Sequence, residues 1–184
     1  MFRFLSLFVL FLVVVSCGNS VDLAIDNPTD RPIQLKVDSL EVEIPAKEVV
    51  WVEMGKGQHQ ITLQNDSIVN FDFNQSVYMV NPTLSEYLLT EEYYGSNAYY
   101  QTYELTAAMR KKSVTYLGIE FEGNYDVVKA LINPVTWDYG PRETLPEVVQ
   151  VEEGDNYTVL KKLLGPQEFI DMVQASRENN TAVE

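Results

Sequence analysis

The chain reads as a mainly β protein: an antiparallel β-sandwich-like module, a second β-rich part, and one C-terminal amphipathic helix. Three observations predict this. Between residues 21 and 80, apolar and polar residues alternate in short runs, the period of strands with one buried face. Turn-forming clusters such as Asn27-Pro28-Thr29-Asp30, Gly55-Lys56-Gly57 and Asn65-Asp66-Ser67 break these runs, at the spacing of roughly 8–12 residues that marks a sandwich. Near the end, Gly165-Pro166 opens a stretch of helical apolar spacing. Proline suits a helix's first position, where an N–H would be unpaired anyway.

The elements follow in order. Residues 21–26 alternate, and Asn27-Pro28 ends the run, because Asn bonds its own backbone ahead and Pro presets φ for a turn. Residues 33–38 and 40–44 alternate again, the second closed by Pro45-Ala46. Residues 49–54 are more continuously apolar and carry Trp51; residues 59–63, 68–73 and 77–80 complete the module. In the second part, residues 88–94 read as a strand. Residues 97–111 fit either a helix, with Tyr99, Tyr103 and Ala107 at i, i+4 and i+8, or a strand, which Tyr and Thr favour. Residues 114–122 read as one strand, and Gly123-Asn124 as a hairpin turn into a strand over 125–132. Residues 133–147, with three prolines and a glycine, read as a loop, and 148–151 and 157–160 as short strands. In the terminal helix Glu168 suits the positive end of the dipole. Phe169, Ile170 and Val173 share a face, and the pattern stops near Arg177-Glu178. Asn81-Pro82-Thr83 and Asn133-Pro134 echo the Asn27-Pro28 turn at spacings of 54 and 52 residues. The segments between do not align, so these are three similar turns and not a repeat.

Residues 1–16 have the form of an export signal. Arg3 supplies a positive start, and residues 4–15 are apolar apart from Ser6. That is about twelve residues, within the usual signal core and short of the ~20 needed to span a bilayer. Val14-Val15-Ser16-Cys17 resembles the lipobox of bacterial lipoproteins: an aliphatic residue, a variable one, a small one, then cysteine. The resemblance implies a diacylglycerol on the Cys17 sulfur, cleavage before Cys17, and acylation of the new amino end by a chain such as palmitate. It implies a membrane-anchored protein of the bacterial cell envelope. Gly18, where aspartate would favour the inner membrane in enteric-type lipoproteins, points to the outer membrane. Two or more buried acyl chains hold a protein stably where one does not. The organisation expected is therefore signal peptide 1–16, lipidated cysteine and short tether 17–20, sandwich module 21–80, and β-rich part with helix 81–184, the last two free to share a core.

Composition narrows the function. Removing residues 1–16 removes one positive charge, Arg3, and takes the formal net charge from −14 to −15. Such acidity argues against nucleic acid, whose phosphates need clustered Lys and Arg. Cys17 is the only cysteine of the 184 residues, so once lipidated it leaves no disulfide, thiolate metal site or thiol catalysis. Abundant Tyr and Phe argue against disorder.

Within the module, NPTDRPIQLKVDSLEVEIPAKEVVWVEMGKGQHQITL resembles the PEGA-like β-sandwich domains of bacterial surface and periplasmic lipoproteins. The features carrying the resemblance are the NPT turn, the strand ending in Val37-Asp38, Ile44-Pro45-Ala46, and the Gly57-x-His59 entry to a strand. It covers roughly residues 21–75 and implies a module that presents, spaces or binds.

No residue set names a reaction. His59, the only histidine, would have to serve any Ser–His–Asp triad, but no serine has a GxSxG context and the residue sits at a structural strand entry. One His without a free Cys makes zinc an improbable cofactor. Glu120 and Glu122, like Glu41 and Glu43, share a strand face; paired carboxylates can cleave glycosidic bonds, yet in an acidic protein such pairs form solvated faces. Glu152-Glu153-Gly154-Asp155-Asn156 lacks the spacing of a calcium loop. Six tyrosines, Tyr87, Tyr93, Tyr94, Tyr99, Tyr100 and Tyr103, fall within seventeen residues, and such rings suit recognition as well as cross-strand packing. Trp137-Asp138-Tyr139-Gly140-Pro141 puts a second aromatic site on a loop. The expected function is non-catalytic: an envelope lipoprotein, without cofactor or metal, that binds a protein partner or supports an assembly. The alternative is a surface lipoprotein that binds carbohydrate. Its candidate binding residues are Tyr93, Tyr94, Tyr99, Tyr100, Trp137 and Tyr139, and its membrane contact is the lipid on Cys17.

Overall fold

The first strand of the chain forms the centre of the molecule. The computed structural model describes residues 19–95, 112–152 and 155–181. Strand β1 (Ser20–Asn27) buries both of its faces, because Val21, Leu23 and Ile25 point one way and Ala24 and Asp26 the other. It pairs antiparallel with β4 (Glu48–Gly55) and parallel with β7 (Val77–Val80). The outer edge of β7 takes β12 (Ile132–Pro134), giving a middle sheet ordered β12-β7-β1-β4. A parallel pair needs a long crossover, and here it contains β4 and an entire second sheet.

That second sheet comprises β2 (Ile33–Val37), β3 (Leu40–Ile44), β5 (Gly57–Thr62) and β6 (Ile68–Phe73), ordered β3-β2-β5-β6. Alternation puts Leu35, Val37, Val42, Ile44, Ile61 and Phe73 on its inner face, against Val21, Leu23, Ile25, Val52, Tyr78 and Val80 of the middle sheet. Phe71, Phe73 and Tyr78 meet edge-on at centroid distances of 4.8–5.6 Å, each such pair contributing about 0.5–1.5 kcal/mol beyond its burial. The two sheets face each other as a β-sandwich. A strand from the second part completes its middle sheet, and β1–β7 is its one parallel pair among the described strands.

The second part covers the far face of the middle sheet. Strands β8 (Tyr87–Gly95), β11 (Tyr125–Val128) and β13 (Tyr157–Leu164) form a third sheet ordered β11-β8-β13. Tyr87, Leu89, Val128 and Leu163 project from it toward Met79 of the middle sheet. Leu88, Val127 and Leu164 project oppositely, beneath the helix α1 (Pro166–Thr181) and the hairpin of β9 (Lys112–Tyr116) and β10 (Ile119–Gly123). Phe169 stacks edge-on upon Tyr116 at 4.9 Å. Gly95 allows the close approach of β8 and β13, since a Cβ there would lie 2.7 Å from the Asn156 carbonyl oxygen.

Several boundaries depart from the sequence reading. Residues 114–122 are two strands and not one: Leu117 and Gly118, at φ 50° and 78°, turn the chain back, as tight hairpins require. The bend at Gly123-Asn124 does not make a hairpin, because β11 pairs with β8 and not with β10. Residues 148–151 form no strand, whereas β13 extends four residues beyond 160. Ile170 faces solvent, 38% exposed, because only Phe169 and Val173, four apart, share the face turned to the sheet. Residues 97–111 lie outside the described residues.

The three Asn-Pro turns gather at one end of the middle sheet, where Ile25 neighbours Val80 and Val80 neighbours Ile132. Asn27, Asn81 and Asn133 are all buried. Asn27 is the most committed: its Nδ2 donates to the carbonyls of Arg31 (2.7 Å), Ile44 (3.1 Å) and Pro45 (2.9 Å), and its Oδ1 accepts from the Thr29 amide and hydroxyl. Asn27→Ala removes all five hydrogen bonds at once and takes from the buried Ile44 carbonyl the Asn27 donor. We expect it to lower unfolding free energy by about 2–4 kcal/mol in urea denaturation; a loss within about 0.5 kcal/mol would show the turn to be self-sufficient.

Candidate functional site

Asp26 occupies an apolar setting. It is the last outward-facing residue of β1, and its side chain is 1% exposed between the middle and third sheets. Both of its oxygens are engaged: Tyr87 Oη donates to Oδ2, and Arg142 Nη2 donates to Oδ1. Burial raises the Asp26 pKa, against the opposing pull of the Tyr87 hydrogen bond and the Arg142 charge. Burial and the Asp26 charge together push the Tyr87 phenol far above its ordinary range. Burial likewise raises Tyr116, helped by the charges of Glu86 and Glu168.

Arg142 belongs to the loop joining β12 to β13, and this loop is tied down along its length. Val135 N–H donates to the Val77 carbonyl at 3.2 Å. Asp138 and Tyr139 N–H groups donate to the Lys161 carbonyl, Leu163 N–H returns to the Tyr139 carbonyl, and Lys161 N–H donates to Asp138 Oδ2 at 2.8 Å. Gly140 N–H donates to Glu143 Oε2 at 2.6 Å. The Gly140 carbonyl accepts from Lys162 Nζ at 2.5 Å; that ammonium, almost fully buried, also meets Glu168 Oε1 at 3.0 Å. Glu168 Oε2 in turn accepts the Gly165 N–H at 2.7 Å and caps α1, the reciprocal half of a capping box. Arg142 adopts φ 65°, a left-handed conformation that costs a non-glycine residue about 1–2 kcal/mol and that the Asp26 contact holds.

Loop and sheet enclose a cleft of about 170 Å³. Its floor is Ala24 and Met79, its walls are Val49 and Trp51 of β4 and Val135, Trp137 and Pro141 of the loop, and Asp26, Asp138 and Glu143 supply its charge. The register sets Trp51 beside Ala24, so the indole stands next to the smallest side chain on that face. Trp51 is 59% exposed, while Trp137 is half-buried against Met79, Tyr87 and Leu163. The two tryptophans of the chain thus line one cleft.

A second, more open groove of about 350 Å³ lies where β2 and β5 diverge, since they pair only at Lys36–Thr62 and Val37–Ile61. Along its lining Lys36 pairs with Glu41 at 2.7 Å, and Gln34 Nε2 donates to Glu43 Oε2 at 3.2 Å. Glu120, exposed on its hairpin, accepts from Ser113 Oγ at 2.7 Å. His59 bridges two turns, with Nδ1 2.7 Å from Asp38 Oδ2 and Nε2 2.8 Å from the Gly55 carbonyl. Among the described residues, no three His, Cys, Asp or Glu side chains gather as metal ligands would.

Of the candidates drawn from sequence, Trp137 lines the cleft, and Tyr139 anchors the same loop through its backbone bridge to Lys162. Tyr93 and Tyr94 are half-buried on β8, away from the cleft lining: Tyr93 donates to Glu91 and packs near the Tyr157 ring, and Tyr94 donates to the Pro146 carbonyl. Tyr99, Tyr100 and Cys17 lie outside the described residues. Sequence reasoning missed Trp51, Asp26 and Arg142. The available signal for Trp51 was a large indole among the apolar residues of 49–54, on the strand face opposite buried Val52. No protein-family model matches the chain, and no curated protein or solved structure matches it.

The buried phenols give a pH prediction. A group whose folded pKa is raised contributes stability that is complete below its unfolded value, near 10 for tyrosine, and lost as pH climbs above it. Tyr87 and Tyr116 should therefore stay protonated above the ordinary tyrosine range for as long as the fold holds. Part of the rise in tyrosinate ultraviolet absorbance should then come only together with loss of the β circular dichroism signal. A single stage near pH 10, with the fold retained, would contradict this.

Proposed function

We propose that this chain is a non-catalytic lipoprotein of the bacterial envelope, held by lipid on Cys17, that binds a protein partner through the cleft between Trp51 and Trp137. The observation that carries the reading is the convergence of both tryptophans on one cleft, one of them 59% exposed. Tryptophan is among the residues on which binding energy concentrates at protein interfaces. The carboxylates around it are engaged in building the loop: Asp26 holds Arg142, Asp138 holds Lys161 N–H, and Glu143 holds Gly140 N–H. Such an arrangement suits a rigid docking site. The sandwich of residues 20–80 supports the PEGA-like reading of the first half. β1 begins at Ser20, three residues past Cys17, so lipid on Cys17 would hold the body within roughly 15 Å of the membrane surface. A second reading, a carbohydrate-binding lipoprotein of the outer membrane, is favoured by the same indole standing in solvent beside carboxylate acceptors.

The test is in-cell photo-crosslinking from position 53, on the solvent face of β4 beside Trp51, followed by purification from envelope membranes. A constant envelope protein should be captured, and adding Trp51→Ala should cut its yield at least about tenfold, as loss of a ≥2 kcal/mol contact implies. Capture that is absent, or indifferent to Trp51→Ala, would overturn the protein-binding reading. Binding to a glycan array that Trp51→Ala abolishes would favour the second.

A further inference from the structure

We infer that the cleft takes one basic side chain, arginine in preference to lysine, presented by a segment of the protein partner; this rests on the protein-binding reading above. Size is the first argument. At about 170 Å³ the cleft falls below the ~300–1,000 Å³ of sites that enclose small-molecule ligands, and is close to the ~150 Å³ cavity that accepts a single benzene. It has room for one large side chain. Charge is the second argument. Asp26, Asp138 and Glu143 line the cleft, and no Lys, Arg or His does. The nearest guanidinium, that of Arg142, is turned onto Asp26. Asp138 and Glu143 are exposed at the rim. Each has one oxygen accepting a backbone N–H, and a carboxylate offers about four lone-pair sites, so both keep capacity for an incoming donor.

The walls fit the same occupant. Val49, Met79 and Pro141 suit the apolar stem of a long basic side chain, which buries its methylenes while its charged head stays with polar groups. Trp51 and Trp137 add the electron-rich faces that attract cations. A planar guanidinium can stack on an indole and still donate two parallel bonds to a carboxylate, which an ammonium cannot. The formal charge of −14 supplies the long-range field that steers a basic surface toward the protein.

The test uses the full mature protein in detergent micelles, labelled with 5-fluorotryptophan. With two tryptophans in the chain, it gives two fluorine signals, one from each side of the cleft. The probes are acetyl-Leu-Arg-Leu-amide and its citrulline counterpart, which has the same shape without the charge. The arginine peptide should shift both signals saturably, about tenfold more tightly than the citrulline peptide. The double variant Asp138→Asn, Glu143→Gln, which keeps both loop hydrogen-bond acceptors, should lower arginine affinity by about tenfold and leave citrulline affinity unchanged. Equal affinity for the two peptides, or no movement of either signal, overturns the inference. If the peptides fail while position-53 crosslinking still captures a partner dependent on Trp51, the protein-binding reading stands and only the basic side chain falls. If crosslinking fails too, the reading itself has failed. Oligosaccharides that shift both signals where the arginine peptide does not would assign the cleft to sugar.

Discussion

A carboxylate buried on the outer face of β1 fixes how the two halves of this protein meet. Asp26 lies where the strand's own alternation would leave a solvated residue, and the third sheet closes over it. A buried charge costs several kcal/mol unless it is paired and hydrogen-bonded. Tyr87 from the third sheet and Arg142 from the β12–β13 loop supply those partners. The second half can therefore cover the sandwich in one position only, with Tyr87 above Asp26 and the loop alongside. Removing one partner of such a group typically costs about 3–5 kcal/mol, since the other is left buried and uncompensated.

The cleft is a consequence of that constraint. Lys162 continues it: its ammonium joins the Gly140 carbonyl to Glu168, and Glu168 caps the terminal helix. A chain of polar contacts thus runs from β1 through the loop to α1. No buried side-chain nitrogen or oxygen among the described residues lacks a partner. This is the condition under which a buried polar network specifies one arrangement and not several. With the loop pinned at Val135, Tyr139, Gly140 and Arg142, Trp137 stands opposite Trp51 across the small side chain of Ala24. The site is built on a sheet and a braced loop, and rigid support of this kind reduces the ordering cost of binding.

Much of the fold was legible in the sequence because local physics determined it. The turns at Asn27-Pro28, Asn65-Asp66-Ser67 and Gly165-Pro166 punctuate strands and helix as their chemistry dictates, and β3, β6 and β7 begin and end where alternation placed them. The errors share a cause. Residues 114–122 alternate smoothly, so periodicity hid the reversal at Leu117-Gly118, which depends on two positive φ angles. The length of β13 beyond residue 160 is set by pairing with β8, a contact between distant segments. The partner of β11 was likewise a matter of topology. The site was half visible: Trp137 stood out as an aromatic on a loop, but its meeting with Trp51, and the pairing of Asp26 with Arg142 across 116 positions, are long-range facts that no local pattern records.

The cleft and the joint between the halves depend on one carboxylate, and local opening tests this dependence more directly than global stability does. Hydrogen exchange of the native protein and of Asp26→Ala, read amide by amide, separates the two. Exchange at Tyr139 and Leu163, whose amides tie the loop to β13, should quicken by at least about tenfold relative to the change at Leu35 and Val42 in the outer sheet of the sandwich. Uniform acceleration throughout the molecule, or unchanged protection at Tyr139, would contradict the role given to Asp26.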